Sequence, residues 1–90
     1  MSVTRIDTIA AQQGTFIVNN TTEKTVNHQA IIVLEDTVFS SIKVAGTDAK
    51  SSYIAATGTA VKAGAIIRGI NGVVFSGVTL TSGSVVLVLV

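Results

Sequence analysis

The 90-residue sequence contains no cysteine, no proline and no tryptophan, and it has only four leucines. Without cysteine the chain cannot form a disulfide scaffold, a thiolate zinc site or a cysteine nucleophile. The shortage of leucine argues against a helical bundle, because such a core needs leucine and alanine at helical spacing. Charged residues make up only 12% of the chain, and the net charge is +1. No basic patch is present, so we expect neither nucleic acid nor a membrane surface as a partner.

β-branched residues are abundant instead. The chain has 14 valines, 10 isoleucines and 12 threonines, which together make up 36 of its 90 residues. These residues pack well on pleated sheets and lose rotamer freedom in helices, so they predict an all-β fold. The mean hydropathy of +0.65 is high for so short a chain. Surplus apolar surface on a small domain usually faces another subunit, which predicts self-association or a protein partner.

Neither a signal peptide nor a membrane-spanning segment is expected. Arg5 and Asp7 occupy the region where a signal peptide needs its apolar segment. Residues 69–90 are uncharged but contain four glycines, and their longest apolar run, Val85–Val90, is far shorter than the roughly 20 residues of a spanning helix. The absence of cysteine fits assembly in a reducing cytoplasm.

Alternation of apolar and polar residues predicts a single small antiparallel β-domain, a sandwich or a barrel-like fold of the jelly-roll type. This domain is expected to cover residues 14–90, preceded by an N-terminal arm or edge strand over residues 1–13. Within Asp36–Val44, the pattern places Val38, Ser40, Ile42 and Val44 on one face of a strand.

Two turn signals lie in the last third of the chain. Asn71-Gly72 is a strong two-residue hairpin signal, and Ser82-Gly83 is a weaker one. Together they predict a C-terminal three-stranded meander over Ala65–Val90. In that meander the pairs opposite each other are Leu80 with Val85 and Val78 with Leu87.

The last predicted strand is apolar on both faces. Val86, Val88 and Val90 lie on the face opposite Leu87, and a strand with two apolar faces needs cover on both of them. We therefore expect these three valines to meet a second sheet or a neighbouring copy of the chain. The alternative is that they belong to a central strand of one monomer.

Residues that could support catalysis are sparse. His28 is the only histidine and has no second histidine or cysteine at ligand spacing, so no metal site is expected. Glu35 and Asp36 point to opposite faces of an extended strand and cannot act as an acid–base pair. We expect them to limit edge pairing and to orient a turn. The glycine spacing matches no phosphate-binding loop. The sequence predicts neither an enzyme nor a cofactor.

Two regions resemble a known family. Residues 30–42 read AIIVLEDTVFSSI, residues 62–69 read KAGAIIRG, and residues 75–85 read FSGVTLTSGSV. Together they resemble a widespread group of small virion proteins of tailed bacteriophages, whose members share a VLEDTVFSS segment and a TLTSG segment near the end. The resemblance covers about two thirds of the chain. It departs at residues 86–90, where Val-Leu-Val-Leu-Val replaces a small-polar or aromatic ending.

The resemblance implies an all-β structural protein of the virion. We expect a capsid decoration or cement protein that binds the outer surface of a phage head and is assembled in the host cytoplasm. Its partners would be the major capsid protein and further copies of itself, most simply as a homotrimer at three-fold positions of the shell. The expected capsid-binding arm contains Val3, Ile6 and Ile9, because terminal segments are free to reach a neighbour.

A tail or head fibre module that binds host carbohydrate is the alternative. The chain has only four aromatic residues, and they are scattered, which argues against a sugar-stacking platform. Loops rich in backbone hydrogen-bonding groups could bind a glycan without such a platform.

Overall fold

The computed structural model describes residues 14–90, so the predicted arm with Val3, Ile6 and Ile9 lies outside the described residues. The prediction of a small all-β domain is confirmed, because these residues form strands and short 3-10 turns but no α-helix. No helix in this part of the chain is long and apolar enough to cross a membrane. The strands are β1 Thr15–Val18, β2 His28–Val33, β3 Val38–Val44, β4 Thr47–Asp48, β5 Ile66–Arg68, β6 Phe75–Ser82 and β7 Val85–Leu89, with 3-10 turns at Lys50–Ser52 and Ile70–Gly72.

One antiparallel sheet contains all seven strands and curls into a half-barrel. Its order is β1-β7-β2-β6-β3-β4, and β5 pairs with β2. β2 and β6 meet only where His28 lies opposite Phe75, so the sheet divides there into two halves. We call β1, β7, β2 and β5 the β7 half, and β6, β3 and β4 the β6 half.

The concave inner face of the curled sheet holds the core. In the β7 half, Val85 lies between Val18 and Val33 in register, and the next core position on the same strand is Leu87. The β6 half contributes side chains of the same kind from β3 and β6. A fully buried aliphatic or phenylalanine side chain contributes about 1.5 to 3 kcal/mol, so this shared cluster is the main source of stability. The buried cluster comprises Val18, Ile31, Val33, Phe39, Ile42, Phe75, Val78, Leu80, Val85 and Leu87.

A β-bulge at Ser40 changes which residues of β3 face the core. Phe39 pairs with Leu80 and Ser41 with Thr79, so Ser40 is an extra residue without a partner in β6. Phe39 and Ile42 are consequently both buried. Strict alternation from Val38 placed them on opposite faces, and that prediction is wrong because a bulge shifts the side-chain alternation by one residue.

The predicted C-terminal meander is also wrong. Leu80 pairs with Phe39 of β3, whereas Val85 lies between Val33 and Val18. Consecutive strands β6 and β7 therefore belong to different halves of the sheet, and Ser82-Gly83 forms a corner between them rather than a hairpin. β5 pairs with β2 and not with β6. Turn signals show only where the chain changes direction, whereas strand neighbours are decided by pairing between distant segments, so these two turns do not by themselves produce a meander.

Asn71 and Gly72 form a tight turn that does not join paired strands. Both have positive φ, of 57° and 77°, and the Val73 amide donates to the Ile70 carbonyl at 3.3 Å. These angles are those of a type I′ turn, for which asparagine and glycine are the favoured residues. The turn redirects the chain from β5, on one half of the sheet, toward β6 on the other.

Candidate association surface

Polar residues of the VLEDTVFSS segment meet Ser84, which directly follows the TLTSG segment, at the Ser82-Gly83 corner. The Thr37 hydroxyl, fully buried, donates to the Glu35 carbonyl at 2.7 Å and accepts from the Ser84 amide at 3.2 Å. The Ser84 hydroxyl in turn donates to the Glu35 carboxylate at 2.7 Å. These three residues fasten the end of β2 to the start of β7.

Gly83 allows this close approach. Its φ of +95° lies in the region that favours glycine, and its backbone runs against Thr37. A Cβ atom on Gly83 would overlap the Thr37 hydroxyl and would lie 2.7 Å from the Thr37 Cα. The corner therefore requires glycine for both its backbone angle and its packing.

Asp36 connects a different segment, residues 62–63, to the same corner. Its carboxylate accepts from the Ala63 amide at 3.2 Å and pairs with the Lys62 ammonium at 3.3 Å. The Ala63 amide, and after it Lys62, lower the pKa of Asp36 below its usual value. Thr37 and Val61 also exchange two backbone hydrogen bonds, of 2.9 and 2.7 Å. Glu35 and Asp36 thus contact two different segments of the chain. These contacts give both carboxylates a structural role in the fold.

The convex outer face of the β7 half carries a row of aliphatic side chains. Val86 lies opposite Ile17 on one side and opposite Ile32 on the other, and Ile32 lies opposite Ile66. Ile17 is 55% exposed and Ile66 is 46% exposed, while Val86 and Ile32 are half-buried. Four strands therefore present a continuous aliphatic row on the side of the sheet away from the core.

Leu34 extends this surface along β2. It follows Ile32 by two residues, is 48% exposed, and its amide continues the ladder by donating to the Ser84 carbonyl at 3.0 Å. We define the outer aliphatic face as Ile17, Ile32, Leu34, Ile66 and Val86. Exposed aliphatic side chains that adjoin one another across a sheet are the kind of surface that proteins use for association.

The three valines predicted to form an interface differ in exposure. Val88 is 1% exposed and lies beside Ala30, which is 3% exposed, outside the core cluster. Val86 is half-buried and belongs to the outer aliphatic face, whereas Val90 is 55% exposed. β7 is a central strand between β1 and β2. Contact of these valines with a neighbouring copy stays a prediction.

Sequence reasoning identified Val86 but missed the other four members of the outer aliphatic face. The uninterrupted apolar run from Ala30 to Leu34 and the Ile66-Ile67 pair were the available signals, because they are typical of strands that are apolar on both faces. Which of these runs lie side by side depends on pairings between distant segments, and no local pattern specifies them.

His28 lies at the junction between the two halves of the sheet. It is fully buried, its ring centre is 5.3 Å from that of Phe75, and its Nδ1 donates to the Val26 carbonyl at 2.7 Å. Because a carbonyl can only accept, Nδ1 carries a proton, and in the neutral ring Nε2 is then the unprotonated nitrogen. Nε2 has no hydrogen-bond partner within residues 14–90. Burial lowers the pKa of His28 below its usual value.

A shallow open groove runs beside β1. It is lined by Phe16 to Asn20 and by Thr22 to Lys24, and the Lys24 ammonium lies 4.3 Å from the centre of the Phe16 ring. The amide and hydroxyl side chains here could hydrogen-bond a polar ligand. Among the described residues no group of three histidine, cysteine or carboxylate side chains could hold a metal ion.

Comparison of the chain with protein-family models, with curated proteins and with solved structures finds no match.

Proposed function

We propose that this chain is a structural protein of a bacteriophage virion, of the decoration or cement type, which binds the outer surface of the head and stabilises it through non-covalent contacts. The observation that carries the proposal is the outer aliphatic face, a surface suited to protein contact on a sheet whose core is already complete on its other side. The resemblance of residues 30–42, 62–69 and 75–85 to small virion proteins supports the same role.

The proposed mechanism requires only burial and hydrogen bonding. Apolar area removed from water contributes about 25 cal/mol per Å², so a patch of aliphatic side chains is an effective clamp between neighbouring subunits. β1 lies at an edge of the sheet and could accept a further strand from a neighbour through its backbone. The arm over residues 1–13 and a three-fold arrangement of copies remain parts of this proposal.

The copy number in purified particles tests the proposal. Peptides of this chain would be counted against the major capsid protein by quantitative mass spectrometry. A shell offers many equivalent positions, so we expect on the order of hundreds of copies per particle. A particle without the chain would refute a role in the virion.

Binding of the chain to purified heads gives a second test. Purified heads lacking the chain would be mixed with the full chain and with an Ile17→Lys/Ile66→Lys variant, and then sedimented. We expect the native chain to co-sediment and the variant to remain in the supernatant. Equal co-sedimentation of both would show that the outer aliphatic face does not contribute to head binding.

A fibre module that binds host carbohydrate is the second candidate, and the groove beside β1 favours it. Asn19, Asn20 and Thr22 line the groove next to the partly exposed Phe16. A glycan array with the native chain and with Phe16→Ala tests this alternative. Binding that the substitution abolishes, together with about a dozen copies or fewer per particle, would favour a fibre over decoration.

A further inference from the structure

Asn71-Gly72 is the only Asn-Gly dipeptide in the chain, and this dipeptide can change chemically without an enzyme. The backbone nitrogen of the glycine, after losing its proton, attacks the side-chain carbon of the asparagine amide, and ammonia leaves. Glycine favours this step because it has no Cβ atom to hinder the approach of its nitrogen. Water then opens the resulting five-membered succinimide ring and leaves aspartate or isoaspartate. Both residues are exposed, so water reaches them.

The backbone of the turn opposes this ring closure. The ring needs the Gly72 nitrogen on the same side of the Cα–C bond as the Asn71 side chain. At the observed ψ of 29°, the tetrahedral geometry of an L-residue turns that nitrogen almost directly away from the Asn71 Cβ. The Gly72 amide also donates to the Gly69 carbonyl at 3.2 Å, which holds the proton that must leave. Asn71 therefore reacts only after the turn has opened.

Contacts with the core hold the turn closed. The Tyr53 hydroxyl accepts from the Ile70 amide at 3.0 Å, and the Tyr53 ring meets the buried Phe75 ring edge-on, with the ring centres 5.2 Å apart. The Val73 amide closes the turn by donating to the Ile70 carbonyl. Rotation about ψ of Asn71 moves the chain on at least one side of the turn and disturbs these contacts. Opening is therefore a local unfolding event with a free-energy cost of its own.

We propose that Asn71 is a site of spontaneous deamidation, which the folded turn protects and which becomes reactive when residues 70–73 open. The two products differ in their effect on the fold. Aspartate keeps the turn, because Asp-Gly also favours the type I′ geometry. Isoaspartate inserts an extra methylene group into the backbone, which lengthens the loop beyond the two-residue type I′ turn. Either product places a carboxylate in residues 69–90, which otherwise carry no charged side chain.

Isoaspartate is the product with a structural consequence. The turn redirects the chain from β5, which pairs with β2, to β6, which pairs with β3. A chain that opens at residues 70–73 and closes again with isoaspartate has lost this turn, and neither water nor refolding restores the amide. The inference concerns the chain alone and does not depend on the proposed role in a virion.

Incubation of the full chain in mildly alkaline buffer, both folded and unfolded in urea, tests the inference without any variant. Trypsin cleaves after Arg68 and releases residues 69–90, in which Asn71 is the only amide side chain. A change from amide to acid in that peptide, measured by mass spectrometry, therefore identifies the site. We expect deamidation in urea to be about tenfold faster or more than in the folded chain, because the folded chain must first open the turn.

Tyr53→Phe tests the contact that holds the turn closed. The substitution removes the oxygen that accepts from the Ile70 amide and keeps the ring against Phe75. Loss of this hydrogen bond is expected to speed deamidation of the folded chain by about two- to tenfold and to leave the rate in urea unchanged. Glu23→Gln removes a polar contact in which no residue of the turn takes part, so it is the control and leaves both rates unchanged.

Three outcomes would overturn the inference. Equal rates in the folded chain and in urea mean that the turn does not protect Asn71. An amide that stays intact in urea means that Asn71 is not a deamidation site. A folded Tyr53→Phe variant that reacts no faster than the Glu23→Gln control means that the contact with Tyr53 does not hold the turn closed.

Discussion

The β7 half and the β6 half of the sheet have the same kind of inner face but different outer faces. Leu87 and Leu80 are both fully buried in the common core. On the convex side, the β7 half presents the outer aliphatic face. The β6 half instead presents Ser41 opposite Thr79 and Lys43 opposite Gly77, and the Lys43 ammonium pairs with the Glu23 carboxylate at 2.9 Å.

This difference separates residues that the fold needs from residues that the fold tolerates. Inner positions are aliphatic or aromatic in both halves because a small domain has no other source of a core. Outer positions are free to be polar, as the β6 half demonstrates. Aliphatic side chains on the outer side of the β7 half are therefore not required by the inner core, and they are the side chains that the proposed association would use.

The largest effect is expected from comparing the two faces of one strand. Leu87→Ala removes a core side chain and is expected to lower the free energy of unfolding by about 2 to 5 kcal/mol. Val86→Thr keeps the shape of an outer, half-buried side chain and is expected to cost less than about 1 kcal/mol. Urea unfolding at a concentration where the chain is monomeric measures both. Equal costs would show that the outer face is part of the folding core.

The second-largest effect on stability is expected at the Ser82-Gly83 corner, which connects the two halves. Gly83→Ala introduces a side chain at positive φ against Thr37, so we expect a loss of about 2 to 4 kcal/mol. Gly58→Ala is the matched control, since its φ is not positive and nothing lies within 4 Å of the added Cβ. Thermal unfolding of both variants checks the prediction. A Gly83→Ala variant as stable as the control would mean that the corner rearranges without cost.

Acidification is expected to weaken the junction between the halves. The pKa of His28 is lower in the folded protein than in the unfolded chain, so the unfolded chain binds more protons between these two values. The free energy of unfolding is therefore highest above the ordinary histidine pKa of about 6.5 and falls as the pH drops toward the folded pKa.

Urea unfolding at pH 7.5 and pH 5 measures this change, a range in which Asp36 stays ionised because its own pKa is lowered. His28→Leu removes the titrating group, and its stability should be nearly constant over the same range. If the variant loses as much stability on acidification as the native chain, another group is responsible.

The smallest effect belongs to the outer face of the β6 half. Glu23→Gln removes the ion pair with Lys43. The Lys43 side chain is 32% exposed and the Glu23 side chain is 38% exposed. An exposed pair of this kind contributes about 0.5 kcal/mol, and salt screens it. We expect a difference of that size at low ionic strength that disappears in concentrated salt. A difference that persists in salt would show that screened charge attraction does not account for it.

Local patterns anticipated part of this structure. Alternation and β-branched residues predicted strands, and Asn71-Gly72 and Gly83 marked places where the chain changes direction. The same patterns misassigned the faces of β3, because the bulge at Ser40 depends on its partner β6. They also missed the contacts of Glu35 and Asp36, whose partners lie 49 and 27 residues away in the sequence.

The sequence alone determined the class of this fold, because side-chain shape sets backbone preference residue by residue and needs no distant partner. The tertiary structure decided which strands are neighbours, because pairing is a competition between segments far apart in the chain. Only that competition placed β7 between β1 and β2, and thereby aligned Ile17, Val86, Ile32 and Ile66 on one face.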